Sequence, residues 1–414
     1  MEERRVVITG TGVISPVGQD PAAFWAALRA GRCGIRPYPG LETWGLPVRV
    51  AGTVEDFDPM AFGLTVKETR RNDRFCLFAQ AAAFQAMRES GLEAGSNIAP
   101  ERLGVYLGTG IGGMQTFIEQ TKVMLEEGAD RVSPLFIPKM IANIAAGNIA
   151  IRYGAEGANM TAVAACASST QSVGEAFRAV RYGFADAIIA GGTEAVLNPL
   201  AFGGFASAHA LTLSDDPLRA SLPFSASRSG FVMAEGAAVL ILEEYNHARQ
   251  RGAQILAEVT GYANYCDAYH ATAPRPDGVP AARAMRDALA QSGFRADEAL
   301  YINAHGTGTV LNDKTETVAI KLALGEETAR RAAVSSTKSM TGHMVGAAGA
   351  AEILVCALAL RDGVVPPTIG LTDPDPECDL DYTPLTAAER PLTVAISNSL
   401  GFGGHDATVA LRKI

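Results

Sequence analysis

Cys166 follows the strand-like run TAVAA at 161–165 and precedes the helix-like ASSTQSVGEAF, which predicts a strand-to-helix turn with the thiol near a helix N-terminus. The partial positive charge there favours thiolate, so a lowered pKa and covalent nucleophilic chemistry are expected. A lone cysteine is more often a small core residue, and its company decides. Six histidines occur, at 209, 247, 270, 305, 343 and 405. Three sit in Gly/Thr-rich segments after predicted strands: NAHGTGT around His305, KSMTGHMVGAAGAAE around His343 and GFGGHDAT around His405. Loops at the carboxyl ends of buried strands are where α/β proteins assemble sites, so the cysteine and two of these histidines are expected to converge.

Glu352 is the only Asp, Glu, Lys, Arg or His between Val345 and Leu360, on a Gly/Ala-rich helix expected to pack on all sides. A buried carboxylate needs a cation or donors, and Lys338 on the preceding loop is the nearest candidate. Such a pair serves structure, catalytic support or both. GTGIGG at 108–113 follows a predicted strand and satisfies G-x-G-x-x-G, but dinucleotide binding also wants an acid about 20 residues on, at the end of a second strand. Glu126, Glu127 and Asp130 occupy a helix-like or loop stretch instead, which disfavours a dehydrogenase. Lys67, Arg70, Arg71 and Arg74, spaced i, i+3, i+4, i+7, predict four cations on one helical stripe.

The elements that must position these groups alternate β-branched runs with alanine-rich helical stretches, as in an α/β protein with buried sheets. Strands are predicted at 6–10, 102–108, 161–165, 186–192, 237–244, 255–263, 299–306, 332–337, 395–399 and 408–412. The pattern strand, helix, glycine stop, strand occurs in both halves, which predicts an internal duplication with a site between the halves. The boundary is placed near HARQRGAQ, giving halves 1–252 and 253–414, with no linker composition to separate their cores. The chain has 414 residues, 48% of them hydrophobic and 19% charged, which excludes disorder. A net charge of -9 argues against nucleic-acid binding through the overall field. The six cysteines contain no C-x-x-C and lie at least 22 residues apart, so a reduced cytoplasmic protein without a zinc ribbon or disulfide frame is expected. The apolar run near the N-terminus is too short for a secretory signal, and no segment reaches the ~20 apolar residues of a membrane span.

Read together, VVITGTGVISPVG, AACASS, GGTEA, FVMAEGAAVLILEEYNHA, DAYH, NAHGTGT, SSTKSMTGHMVGAAGAAE and SNSLGFGG resemble, in order and spacing, the β-ketoacyl-acyl-carrier-protein synthases. These are condensing enzymes of the thiolase superfamily, and the motif set looks most like their synthase II group. The resemblance covers nearly the whole chain. It implies an α/β thiolase fold whose duplicated halves form a five-layered α-β-α-β-α core, and a homodimer without metal or organic cofactor. Its implied reaction is decarboxylative Claisen condensation of an acyl-enzyme with malonyl-acyl carrier protein. By the same resemblance Cys166 is the acyl-accepting nucleophile, His305 and His343 donate to the enolate, and the Cys166 and Phe402 N–H groups face the thioester oxyanion. Lys338 orients a histidine through Glu352, Thr307 and Thr309 contact pantetheine, Phe402 gates, and Ile111 ends the acyl pocket. Lys67, Arg70 and Arg71 then become a docking patch for acidic carrier protein.

Some positions depart from the pattern. His209 stands where an arginine is common, SASRSG at 225–230 replaces a more acidic run, and Asn312, Leu400 and Asp406 replace glycine, phenylalanine and asparagine. These leave open a ketosynthase of a specialised polyketide-like pathway. A non-condensing partner subunit of the chain-length-factor kind is a third reading, and the retained Cys166 argues against it.

Overall fold

The computed structural model describes residues 3–414. Every predicted strand forms: β1 Val6–Ile14, β2 Leu103–Gly108, β3 Asn159–Ala162, β4 Ala187–Glu194, β5 Gly236–Glu244, β6 Ala257–Cys266, β7 Leu300–Asn303, β8 Ala333–Ser335, β9 Val394–Gly401 and β10 His405–Arg412. They hydrogen-bond in the order β8-β7-β9-β10-β6-β1-β5-β4-β2-β3. Outward from the centre, one half reads β1-β5-β4-β2-β3 and the other β6-β10-β9-β7-β8, the same sequence advanced by five. Parallel and antiparallel pairings match step for step, and the halves join where Val6–Ile8 runs antiparallel to Ala257–Val259. The expected duplication is therefore present in the hydrogen bonding itself.

The helices that matter for the site are α1 Val66–Arg71, α2 Arg74–Ser90, α3 Ile144–Tyr153, α4 Ser168–Arg181, α5 Val279–Gln291, α6 Val310–Leu324 and α7 Ala348–Asp362. Helices α2 and α3 cover the outer face of the first half, and α5 and α6 that of the second. Between the two halves, α4 and α7 pack on each other and on strands from both. This is the five-layered α-β-α-β-α arrangement. A helix in the middle layer has no solvent face, and Ala348 to Leu360 of α7 are all buried, in keeping with its lack of an apolar stripe. Close approach also dictates Gly174 on α4, where a Cβ would lie 2.2 Å from the ring of Tyr262 on β6.

Two expectations are corrected here. The third strand ends at Ala162 rather than Ala165, because Ala165 takes a left-handed φ of 48° and opens a 3-10 turn, Ala165–Ala167, ahead of α4. The basic stripe does not continue through Arg74. Thr65 and Glu68 cap α1, the backbone becomes extended at Asn72, and buried Asp73 starts α2 as its N-cap. Among the described residues, no helix is long and apolar enough to cross a membrane.

Candidate active site

Four turns meet where the two halves face each other. Cys166 sits on the 3-10 turn that opens α4, and the matching turn Val345–Ala347 opens α7. Both begin with a non-glycine residue in the left-handed region, Ala165 at φ 48° and Val345 at φ 46°, a conformation that costs on the order of 1–3 kcal/mol and persists only when packing imposes it. The duplicated turns have diverged in use. The position after Val345 is Gly346, whose N–H donates to Glu194 and whose missing Cβ would lie 2.3 Å from the Gly110 nitrogen. The first half thus supplies the thiol, and the second supplies the imidazoles.

His343 Nε2 lies 3.0 Å from Cys166 Sγ. The His305 and His343 rings are 5.4 Å apart at 85°, and Phe231 stands edge-on to His343 at 5.3 Å. His305 is held from behind: its own N–H and that of Gly306 each donate to Glu316 at 2.8 Å. The Lys338 ammonium and the Glu352 carboxylate form an ion pair that is almost wholly buried. The β9–β10 turn brings the Phe402 backbone beside Cys166, both lining one cleft, and a Cβ on Gly401 would come within 3.3 Å of the Cys166 nitrogen. A cleft of about 310 Å³ runs from Cys166 and both histidines past Thr307 and Thr309 to exposed Val310 and Leu311.

The electrostatics correct one expectation. Burial pushes the Cys166 thiol up to about 12, outweighing the pull of Lys338 and of the Phe402 N–H, with Glu194 and Glu352 adding to the rise. The helix terminus does not leave a resting thiolate, because desolvation of the charge costs more than the local field returns. Burial and then Lys338 hold His343 well below the ordinary histidine value, and burial, Lys338 and His343 do the same to His305. Neutral imidazole is the form that accepts a thiol proton or donates to an oxyanion. Cys166 Sγ and one nitrogen from each histidine lie within 4.8 Å of one another, a donor set that also suits a thiophilic metal. The field of Lys338 at all three groups opposes a divalent cation there.

Residues 3–248 match the N-terminal domain of the beta-ketoacyl synthase family, and residues 256–372 match its C-terminal domain. The chain belongs to the beta-ketoacyl synthase family. It is 50% identical over 414 residues, all of this chain and 99% of the relative, to 3-oxoacyl-acyl-carrier-protein synthase 2 of Synechocystis. Identity to the Coxiella burnetii protein of the same name is 45% over 415 residues, with both chains fully covered. A type II polyketide ketosynthase in complex with its acyl-carrier protein is similar at TM-score 0.91 and 35% identity, again with full coverage of both. The thiolase fold expected of the family is the fold observed.

Within this synthase, the predicted residues divide into those that meet and those that stand apart. Cys166, His305, His343, Phe402, Thr307 and Thr309 line one cleft, while Lys338 and Glu352 back it from the buried side. His405 does not line the cleft. Ile111 does not line it either: it lies outside, 39% exposed, on a segment whose Gly110 abuts Val345 and Ala165. A closed acyl tube ending at Ile111 is thus not formed by this chain alone. Lys67, Arg70 and Arg71 are exposed on α1 and free of ion pairs among the described residues, whereas Arg74 clamps Glu235 at 2.7 and 2.9 Å. Two buried acids were not assigned roles from sequence. Glu316 fixes the His305 backbone, and Glu194 accepts from Gly110 at 2.7 Å, Gly346 at 3.0 Å and Thr109 at 3.1 Å. A lone acid beside a Gly-rich motif, as in GGTEA, was the available signal.

Proposed function

We propose that the chain condenses an acyl group held on Cys166 with malonyl-acyl carrier protein to give 3-oxoacyl-acyl carrier protein, as in fatty-acid elongation. The observation that carries this reading is His343 Nε2 at 3.0 Å from Cys166 Sγ with His305 beside both. His343 takes the thiol proton as sulfur attacks the incoming thioester, and the carrier leaves as a thiolate that solvent protonates, so His343 keeps its N–H for the next step. The Cys166 and Phe402 N–H groups receive the oxyanion of that step. Malonyl thioester then loses CO2, and its enolate oxygen is met by N–H donors from His305 and His343. The enolate carbon attacks the acyl-cysteine, forming the carbon–carbon bond and returning the thiolate. Thr307 and Thr309 flank the pantetheine arm in the cleft.

The exposed cations Lys67, Arg70 and Arg71 fit an acidic carrier protein, a local basic patch of the kind this net acidic chain needs for that partner. Reversing Arg70 and Arg71 to Glu is expected to raise KM for carrier-bound substrate about tenfold, with the effect shrinking as salt rises, and to leave a short pantetheine thioester almost unaffected. Steady-state kinetics on both substrates checks this, and equal losses on the two contradict docking.

A homodimer completes the reading. Strand β3 leaves one edge of the sheet open, Val163 beyond it is 58% exposed, and Ile111, Phe117 and Ile137 add exposed apolar side chains on neighbouring segments. A second copy covering that edge would close the volume beside Ile111 into an acyl channel. Each methylene then adds ~0.8 kcal/mol until the wall is reached, after which overpacking costs ~1–3 kcal/mol. Ile111→Trp is expected to exclude long acyl chains from Cys166 while short ones still load, and Ile111→Gly to extend the limit. Weighing the acyl-enzyme after exposure to C4 to C16 acyl-carrier proteins reads both, and an unchanged length profile in both variants removes Ile111 from the channel. The same series separates fatty-acid elongation from the polyketide-like reading that the structural neighbours fit, since only the first predicts smooth use of saturated primers. We assign the chain to the cytoplasm and divide it at 252/253.

A further inference from the structure

Asp406 is the second residue of β10, opposite Leu400 across the β9–β10 hairpin and opposite Tyr265 on β6. It is 3% exposed, and Asp267, one residue beyond β6, is 6% exposed; both line the Cys166 cleft. Asp267 is tied to the turn that carries Phe402. Its N–H donates to the Gly404 carbonyl at 2.9 Å, and a Cβ on Gly404 would lie 2.8 Å from the Asp267 Cβ. The Arg275 N–H donates to Asp267 Oδ2 at 2.9 Å, whereas Asp406 Oδ2 meets no donor among the described residues. Tyr265 and Asp267, two residues apart, share one face, so Asp406, paired with Tyr265, lies diagonally beside Asp267 on that face, and the neighbouring carboxylate helps raise the Asp406 pKa. Buried carboxylates that close cannot both carry charge, so one proton stays between them.

We propose that Asp406 is a positioning residue: the proton it shares with Asp267 ties the end of β6 to the β9–β10 turn and holds the Phe402 N–H against the Cys166 sulfur. The charges that bear on Asp406 are acidic, Asp267 first and then Glu316 of α6. Other ionisable groups on the neighbouring elements are engaged elsewhere. Tyr265 hydrogen-bonds Asp287, the Arg275 side chain pairs with Asp277, His270 Nδ1 accepts from Thr272 and Ala273, and Asp313 accepts from Phe224 and Gly308. With no cation to help it ionise, burial and Asp267 push Asp406 up to about 8. Below that pH the link is protonated and intact; above it a second buried negative charge forms and the link breaks. Acyl transfer should then slow as pH rises, the opposite sense to a thiol that becomes more reactive with pH.

The test is single-turnover acylation of the full-length enzyme by octanoyl-acyl carrier protein, followed by intact mass between about pH 6 and 9.5. The native enzyme is expected to lose rate about tenfold per pH unit past the inflection. Asp406→Asn, whose amide donates to Asp267 at every pH, should stay within about threefold of native at pH 7 and lose the alkaline fall, while Asp406→Ala is slower by roughly tenfold throughout. An alkaline fall unchanged in folded Asp406→Asn overturns the proposal. If that variant does not fold, Asp267→Asn carries the same two outcomes. The inference rests on Cys166 being the acylated residue. Were that wrong, no enzyme form would gain mass at Cys166, whereas failure of the shared proton leaves acylation intact and only its pH dependence unmoved.

Discussion

His343→Ala should load acyl groups onto Cys166 about 10² to 10⁴ times more slowly than the native enzyme, and its rate should climb about tenfold with each pH unit up to about pH 8, where the Asp406 link begins to break. A thiol that desolvation raises this far is almost wholly protonated at neutral pH, which leaves too little thiolate to account for turnover without a base. His343 Nε2 at 3.0 Å supplies that base, and because burial and Lys338 keep the ring neutral at pH 7 it is ready to accept. Remove it, and hydroxide must take the proton instead, which creates the rising profile. Stopped single-turnover reactions quantified by mass would read both features. A fast, flat profile in the variant would mean that the thiol ionises by another route, with the Phe402 N–H and the Lys338 field stronger than their geometry suggests.

Lys338→Ala is expected to cost about 3–5 kcal/mol of stability, the largest effect of any single substitution around the site. The pair it breaks is buried on both sides, and Glu352 Oε2 already lacks a donor, so loss of the ammonium strands a carboxylate in the all-buried middle helix. Burial raises the Glu352 pKa and Lys338 opposes that rise, so the variant should hold Glu352 protonated over a wider pH range. Urea midpoints with an unchanged slope measure the loss. The double change Lys338→Met with Glu352→Leu removes both charges and should recover most of it. That double variant should still condense slowly, since the field of Lys338 at the thiol and both histidines is gone. A loss under about 1 kcal/mol for Lys338→Ala would show water reaching Glu352, and the pair would not be the buried support assigned to it.

Much of this was legible from residue order. Apolar β-branched runs located all ten strands of the large sheet because buried strands need no alternation, and the repeated strand, helix, glycine, strand pattern exposed the duplication. Pairing order was not legible, since it depends on which strands meet after the chain has folded around α4 and α7. The chemistry-bearing types Cys166, His305 and His343 could be picked out by their place after strands. The direction of the Cys166 pKa could not, because the helix terminus is visible in sequence whereas the depth of burial is a property of five packed layers. Arg74 was misplaced for a local reason: the i+7 spacing fits one helix only if Asn72 and Asp73 do not cap a new one. Ile111 was placed by resemblance at the end of a channel that this chain leaves open.

The central claim is that Cys166 alone accepts the acyl group. Mixing native enzyme with octanoyl-acyl carrier protein, then taking intact mass and mapping the peptides, tests it most directly. The account predicts a gain of one octanoyl group per chain, found on the peptide containing Cys166, and no gain in Cys166→Ala that retains its native melting transition. An octanoyl group on any other residue, or a full gain of mass in Cys166→Ala, would contradict it.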